Sequence, residues 1–328
     1  MGTPDFAVGT LKALVEAGHE VAAVVTQPDK PKGRSRELVF SPVKEEAVKL
    51  GIEVLQPVKA RDEEFVEKLG TYNADVFVVV AFGQILPKSI IDMPRLGCVN
   101  VHASLLPKYR GASPIQWAVI DGCEYSGVTT MKMDEGLDTG DILLVKKVKL
   151  DKKETGGSLF DRLSVVGADL LIETLKGLED ETITPVPQDD SKSSYVKMLK
   201  KSMGELDFSK PAHDIECLIR GLNPWPSAYT HYNGRMLKIW DADVISDISD
   251  IAGISGMSES TDQVHDMEEA EAGTVCFVDK KRLIIKCGKD YLSVNEVQLE
   301  GKKRMKTDVF LLGCKVEKGT VLGKAENK

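Results

Sequence analysis

The sequence has no apolar run long enough to cross a membrane, and its start lacks the basic and apolar regions of an export signal. A membrane partner is not expected, and a cytoplasmic location is. Phe6 and Ala7 do not supply the hydroxyl that a myristoylation signal at Met1-Gly2 would need. The six cysteines (98, 123, 217, 276, 287, 314) form no close pair, so neither zinc nor a disulfide framework is suggested. The five histidines are equally dispersed, and no metal site is expected. No G-x-G-x-x-G follows a strand-like segment, which argues against a dinucleotide site. No serine or cysteine nucleophile stands beside a base in the stretch described below. No obligate protein partner is evident.

What is present begins with size. The chain has 328 residues, enough for two domains. Its net charge of −8 misleads, because residues 241–272 hold ten acidic and no basic residues. Without that segment the rest carries about +2, which permits an anionic partner without demonstrating one.

The stretch from Cys98 to Gln116, CVNVHASLLPKYRGASPIQ, is the most informative. Cys98, Asn100 and His102 alternate with Val99 and Val101, a strand period that sets an amide and an imidazole on one face. A Pro- and Gly-punctuated loop follows. Ser113-Pro114 then marks an N-cap and the first residue of a helix. The carboxyl end of a strand is where open α/β sheets place ligands. A satisfied pair of core polar residues is nonetheless the commoner outcome for an isolated N-x-H.

The remaining pattern alternates strands and helices. Thr3-Pro4-Asp5 predicts a helix start, with Thr3 as N-cap, and Gly18 predicts its end. Val21–Val25 is a buried-strand pattern, and 27–44 is a long loop with three prolines and five basic residues, its tip near Arg34 and Arg36. Asp75–Phe82 predicts a buried parallel strand that ends in the loop Gly83–Pro87. Gly127–Met133 and Ile142–Val148 are strands around the acidic loop 134–141, and Ser158–Leu178 is a long amphipathic helix. The fold expected is α/β, a Rossmann-like parallel sheet in residues 1–187. A polar linker spans 188–205. Short strands with an Asn233-Gly234 hairpin turn then predict a small OB-like β-barrel over 206–323, interrupted by the acidic insertion 246–272. The opening helix should be delivered by a preceding strand, yet only Met1 and Gly2 come before it. The expectation is a first strand missing at the N-terminus, with its neighbours left unpaired and the chain unstable or inactive.

Asn100 and His102 supply donors aimed at one point, and Asp138 sits on another loop at a strand's carboxyl end, where it can converge with them. A carboxylate beside an imidazole fixes its tautomer, raises its basicity or accepts a proton itself. Amide and imidazole suit an oxyanion. The chemistry that fits is acyl transfer without a covalent enzyme intermediate, in which the enzyme holds donor and acceptor together.

GTPDFA (2–7), TQPDKPKGR (26–34), SPVK (41–44), FGQILP (82–87), the run 97–116, GLDTGDI (136–142) and NPWP (223–226) resemble the methionyl-tRNA formyltransferase family, in order and over both domains. The resemblance implies a Rossmann-like formyltransferase domain followed by an OB-like domain that helps hold tRNA. It implies 10-formyltetrahydrofolate as formyl donor and initiator methionyl-tRNA as acceptor, in support of translation initiation. Asn100, His102 and Asp138 would be catalytic. Ser104, Leu105, Leu106 and Pro107 would contact the folate, with Phe82, Gly83, Ile85 and Leu86 lining the pterin pocket. Lys32, Arg34, Arg36, Lys302, Lys303 and Arg304 would bind tRNA. The acidic insertion departs from the family and should point away from RNA. Two alternatives stay open: a formyltransferase acting on a small amine, and a truncated, inactive tRNA-binding protein.

Overall fold

A computed structural model of the chain describes residues 1–32, 37–246, 267 and 269–323. It divides into two compact units. One comprises Met1–Ile115, Glu124–Leu150 and Ser158–Lys197; the other comprises Gln116–Cys123, Asp151–Gly157 and Met198–Lys328.

In the first unit, helix α1 is Phe6–Glu16. It starts later than Thr3-Pro4 predicts: Asp5 precedes it with φ −49° and ψ −35° and makes no side-chain cap bond. Thr3 is used elsewhere. Its hydroxyl donates to Phe82 O at 3.2 Å and accepts from Gln27 N at 3.3 Å, so it ties two loops together instead of capping the helix. Strand β1 (Val24–Val25) is shorter than the apolar run predicts. The loop 27–44 contains a small hairpin, β2 (Lys30–Lys32) and β3 (Glu37–Val39), whose tip lies outside the described residues. Helix α2 (Pro42–Lys49) follows, capped by Ser41, which accepts from Lys44 N. Next come β4 (Val54–Leu55), α3 (Glu63–Gly70), β5 (Phe77–Val79), α4 (Lys88–Ile91) and β6 (Cys98–His102). Then come β7 (Arg110–Gly111), β8 (Tyr125–Lys132), β9 (Ile142–Lys149), α6 (Gly156–Glu179, in this unit from Ser158) and β10 (Tyr195–Val196), with α5 (Pro114–Ile120) passing into the second unit at Gln116. Pro114 opens α5 as predicted, but Ser113 has φ +61°, outside the extended region that N-cap residues use.

The main sheet runs β5-β6-β8-β9. β5 and β6 are parallel, whereas β8 and β9 are antiparallel additions, so the Rossmann-like sheet is mixed on this side. β1 pairs in parallel with β4 as a separate two-stranded ladder. Met1 and Gly2 lie between the two ladders. Gly2 N donates to Val25 O, Val80 N donates to Met1 O, and the Met1 amine donates to Val78 O at 2.7 Å. The passage is tight at Gly2, where a Cβ would come within 2.7 Å of Ala7 Cβ and 2.9 Å of Val80 O. Beyond these two residues the space between β1 and β5 is a cavity of about 370 Å³, lined by Leu11, Leu14, Val21, Val78, Leu69 and Leu175 among others. The residues Val21–Ala23 have no ladder there, which is why the predicted strand shrinks to two residues.

In the second unit, α7 (Ala212–Gly221) accompanies an antiparallel sheet. Its strands are β11 (Ala228–Tyr232), β12 (Arg235–Ile245), β13 (Val275–Val278), β14 (Leu283–Lys286), β15 (Tyr291–Leu299) and β16 (Met305–Lys306), followed by α8 (Thr307–Gly313). The order is β11-β12-β15-β14-β13, with β16 on β15. Asn233 and Gly234, both at positive φ (49° and 68°), make the predicted turn between β11 and β12. The core joins Leu237, Ile239, Ile285, Leu292 and Val297 with Ile215 and Ile219 of α7. Of the acidic insertion, 247–266 and 268 lie outside the described residues.

Candidate active site

Strand β6 is buried over its whole length. Val99 and Val101 turn to one face, at 0 % and 3 % exposure, and leave Asn100 and His102 side by side on the other. Asn100 is 8 % exposed, and no group among the described residues hydrogen-bonds its side chain. Its amide atoms are not among the side-chain polar atoms sealed from solvent without a partner, so they can be reached from outside.

One ring nitrogen of His102 is hydrogen-bonded and the other faces a carboxylate. Its Nε2 lies 2.9 Å from Tyr109 O; a carbonyl only accepts, so Nε2 carries a proton. Nδ1 then faces Asp138 Oδ1 at 3.7 Å. The structure thus brings His102 and Asp138 together, with Asn100 beside His102 on β6, but strand order is not what delivers Asp138. β8 runs antiparallel to β6, with Val99 opposite Lys132 and His102 opposite Thr129. The carboxyl end of β8 thus lies at the wrong end of β6. The loop 133–141 must turn back toward His102 to bring Asp138 there.

Several bonds hold it in that position. Gly111 N donates to Asp138 Oδ2 at 2.7 Å. Asp138 itself has φ +56°, a left-handed conformation that Asp tolerates better than most residues and that tends to mark functional turns. Gly111 has φ +99°, and a Cβ there would sit 2.6 Å from Val196 O, so only glycine fits between β10 and the Asp138 carboxylate. Around this pair sit groups that motif and spacing did not single out. The Arg110 side chain, 2 % exposed, donates to Gln188 Oε1, Asp190 Oδ1 and the Tyr195 hydroxyl. Burial pulls against its charge, but the bonds from Tyr195 and Asp190 outweigh that and hold its pKa above the ordinary arginine value. Gln188 Nε2 donates to Asp138 O and Gly140 O. Arg110, in the loop Pro107-Lys108-Tyr109-Arg110-Gly111, and Gln188, in a polar run, carry no sequence signal of this role.

The other predicted contacts divide. Ser104 is 1 % exposed and its hydroxyl donates to Lys108 O at 2.7 Å, so it is neither a nucleophile nor a free donor. Leu106 is buried, and its N–H donates to Thr129 Oγ1; Leu105 and Pro107 are half-buried. β5 and β6 are parallel neighbours with Val79 opposite Asn100, so the loop 81–87 leaves the sheet beside His102. In that loop Phe82 and Leu86 are buried at 2 % and 4 %, Gly83 is exposed, and Ile85 stands open at 88 %. Arg34 and Arg36 lie outside the described residues, and Lys32 ends β2. Lys302 and Lys303 are exposed in the second unit. Arg304 is ion-paired to Glu296, with its guanidinium 4.7 Å from the Trp240 ring centroid. Among the described residues no group of three or more candidate metal ligands occurs, and no helix is long and apolar enough to cross a membrane.

A donor amide without a partner, beside an imidazole and a carboxylate, can polarise a carbonyl and relay a proton without forming a bond to it. The comparisons agree with that chemistry. A family described as Formyl transferase matches residues 1–175, and its C-terminal domain family matches 198–315. The chain is 70 % identical to a methionyl-tRNA formyltransferase of Lachnospira eligens, over 98 % of both chains. It is 47 % identical to one of Clostridioides difficile, over 98 % of both. Among solved structures, a sugar 3N-formyl transferase crystallised with dTDP and 5-N-formyl-THF shares the fold, at TM-score 0.63 and 18 % identity, over 92 % of this chain and 97 % of that one.

Proposed function

The chain belongs to the methionyl-tRNA formyltransferase family, and from that premise we propose how its residues carry the reaction: formyl transfer from 10-formyltetrahydrofolate to the α-amino group of methionine on initiator methionyl-tRNA, by direct attack of the amine. The observation that carries this reading is the arrangement of the unpartnered Asn100 amide beside the His102–Asp138 pair, 3.7 Å apart.

Asn100 donates to the formyl oxygen, and its bond strengthens as that oxygen gains charge. His102 is a weaker candidate for the same task, because Nε2 is already engaged by Tyr109 O. The ring instead holds its Nδ1 side toward Asp138, and the two together take up the proton released by the attacking amine and return it to the donor's N10 as the bond from N10 to the formyl carbon breaks and tetrahydrofolate leaves. No side chain forms a covalent intermediate; Ser104 is turned away. The formyl donor's ring would meet the loop 81–87, where Ile85 is open beside the buried Phe82 and Leu86 and the exposed Gly83, and Leu105, Leu106 and Pro107 would contact the folate. Lys32, Arg34, Arg36, Lys302, Lys303 and Arg304 would meet the tRNA backbone, a salt-dependent term that carries little sequence information. A cytoplasmic location follows from the need for charged tRNA.

The test incubates the protein with formyl donor and charged initiator methionyl-tRNA, beside small amine acceptors, and repeats the assay with His102→Ala and Asp138→Asn. Transfer to tRNA that both substitutions abolish supports the reading. Transfer that survives both overturns the site, and transfer to the small amines alone overturns the acceptor.

A further inference from the structure

We propose that Gln188, braced by Arg110, is a positioning residue: it holds the turn around Asp138 so that the carboxylate stays within reach of His102. The inference rests on the catalytic reading of Asp138 given above.

The argument is one of hydrogen-bond capacity. A glutamine amide offers two N–H donors and an oxygen that accepts twice. Gln188 uses both ends. Its oxygen accepts from Arg110 Nε at 3.0 Å and from Arg110 Nη2 at 2.8 Å. Its nitrogen donates to Asp138 O at 2.9 Å and to Gly140 O at 2.7 Å. Those two carbonyls bracket the turn in which Asp138 is held at φ +56°. The turn would relax without such a grip, since a left-handed non-glycine residue persists only where its surroundings over-determine it.

The brace behind Gln188 is itself fixed. The Arg110 guanidinium is 2 % exposed, bonds Tyr195 and Asp190 as well, and lies 5.6 Å from the Tyr195 ring centroid. The segment that supplies Gln188, Asp190 and Tyr195 is also tied by its backbone to the loop after His102: β10 pairs with β7, and Arg110 N donates to Ser194 O. The next residue, Gly111, donates to the Asp138 carboxylate. Asp138 is thus gripped at its backbone by Gln188 and at its side chain by Gly111, and both grips run through the same strap of residues 188–196. A glutamate at 188 would keep the arginine contact but could not donate to two carbonyls. A methionine would keep the volume and lose both contacts.

The experiment is a double-mutant cycle between Gln188→Met and Asp138→Asn in the full chain, read as kcat, KM for the formyl donor, KM for methionyl-tRNA, and melting temperature. A positioning role predicts that Gln188→Met lowers kcat about 10- to 100-fold, leaves both KM values within about 3-fold and the melting temperature within about 3 °C, and adds less than about 3-fold in the Asp138→Asn background. Arg110→Lys, which keeps the charge and removes the two-pronged contact, should lose about 10-fold in kcat with the same lack of additivity. Full additivity with Asp138→Asn, or a rate loss matched by a collapse in melting temperature in both variants, overturns the proposal. If Asp138→Asn itself leaves kcat unchanged, the catalytic reading fails rather than the clamp, so the two failures are distinguishable.

Discussion

Two regions of the first unit, both organised around neighbouring strands, are built in opposite ways. Around Asp138 nearly every polar group is engaged: the carboxylate by Gly111 N, its own carbonyl by Gln188, and Gln188 by Arg110. Between β1 and β5 there is little to engage. Met1 and Gly2 provide a short bridge, and a cavity of about 370 Å³ lined by apolar side chains takes up the rest. The contrast separates rate from stability. The polar cluster fixes a geometry and adds modest net free energy, since each hydrogen bond contributes only about 1 kcal/mol after desolvation. The slot, lined by apolar side chains, bears on stability far more than on chemistry.

The largest expected effect breaks the polar side. Asp138→Asn keeps the shape and removes the charge facing His102, so kcat should fall about 1,000-fold, equivalent to about 4 kcal/mol of transition-state stabilisation, while the melting temperature changes little. Asn100→Ala should lose about 100-fold by removing a donor that no described residue engages. If either variant instead melts markedly earlier with kcat preserved, the cluster is a stability element and the contrast between the regions fails.

The parts of the molecule that local chemistry determines could be read from sequence. Alternation in 98–102 set Asn100 and His102 on one face, and the Asn233-Gly234 turn placed the hairpin between β11 and β12. Asp138 does lie beside His102, but not because its loop leaves the carboxyl end of a parallel strand. The direction of β8 is a tertiary fact, and an eight-residue run of Tyr125–Lys132 has the same pattern whichever way it pairs. Thr3 had every mark of an N-cap, yet its hydroxyl is drawn to Phe82 and Gln27 by groups far along the chain. Arg110 and Gln188 were invisible for a related reason: their significance lies in a contact across 78 positions, and neither sits in a periodic pattern.

The next effect sharpens the apolar side. Fusing five consecutive apolar residues ahead of Met1 would carry the bridge at Met1 and Gly2 on into a full strand between β1 and β5, buried on both faces. Each buried aliphatic side chain contributes about 2 kcal/mol, against about 1.5 kcal/mol to order its residue, so with new ladder bonds the net gain should be about 3 kcal/mol. That corresponds to roughly 5–10 °C in melting temperature, with kcat changed less than the Asp138 substitution changes it. An unchanged melting temperature would mean the slot does not admit a strand, and the two regions would differ less than their contacts imply.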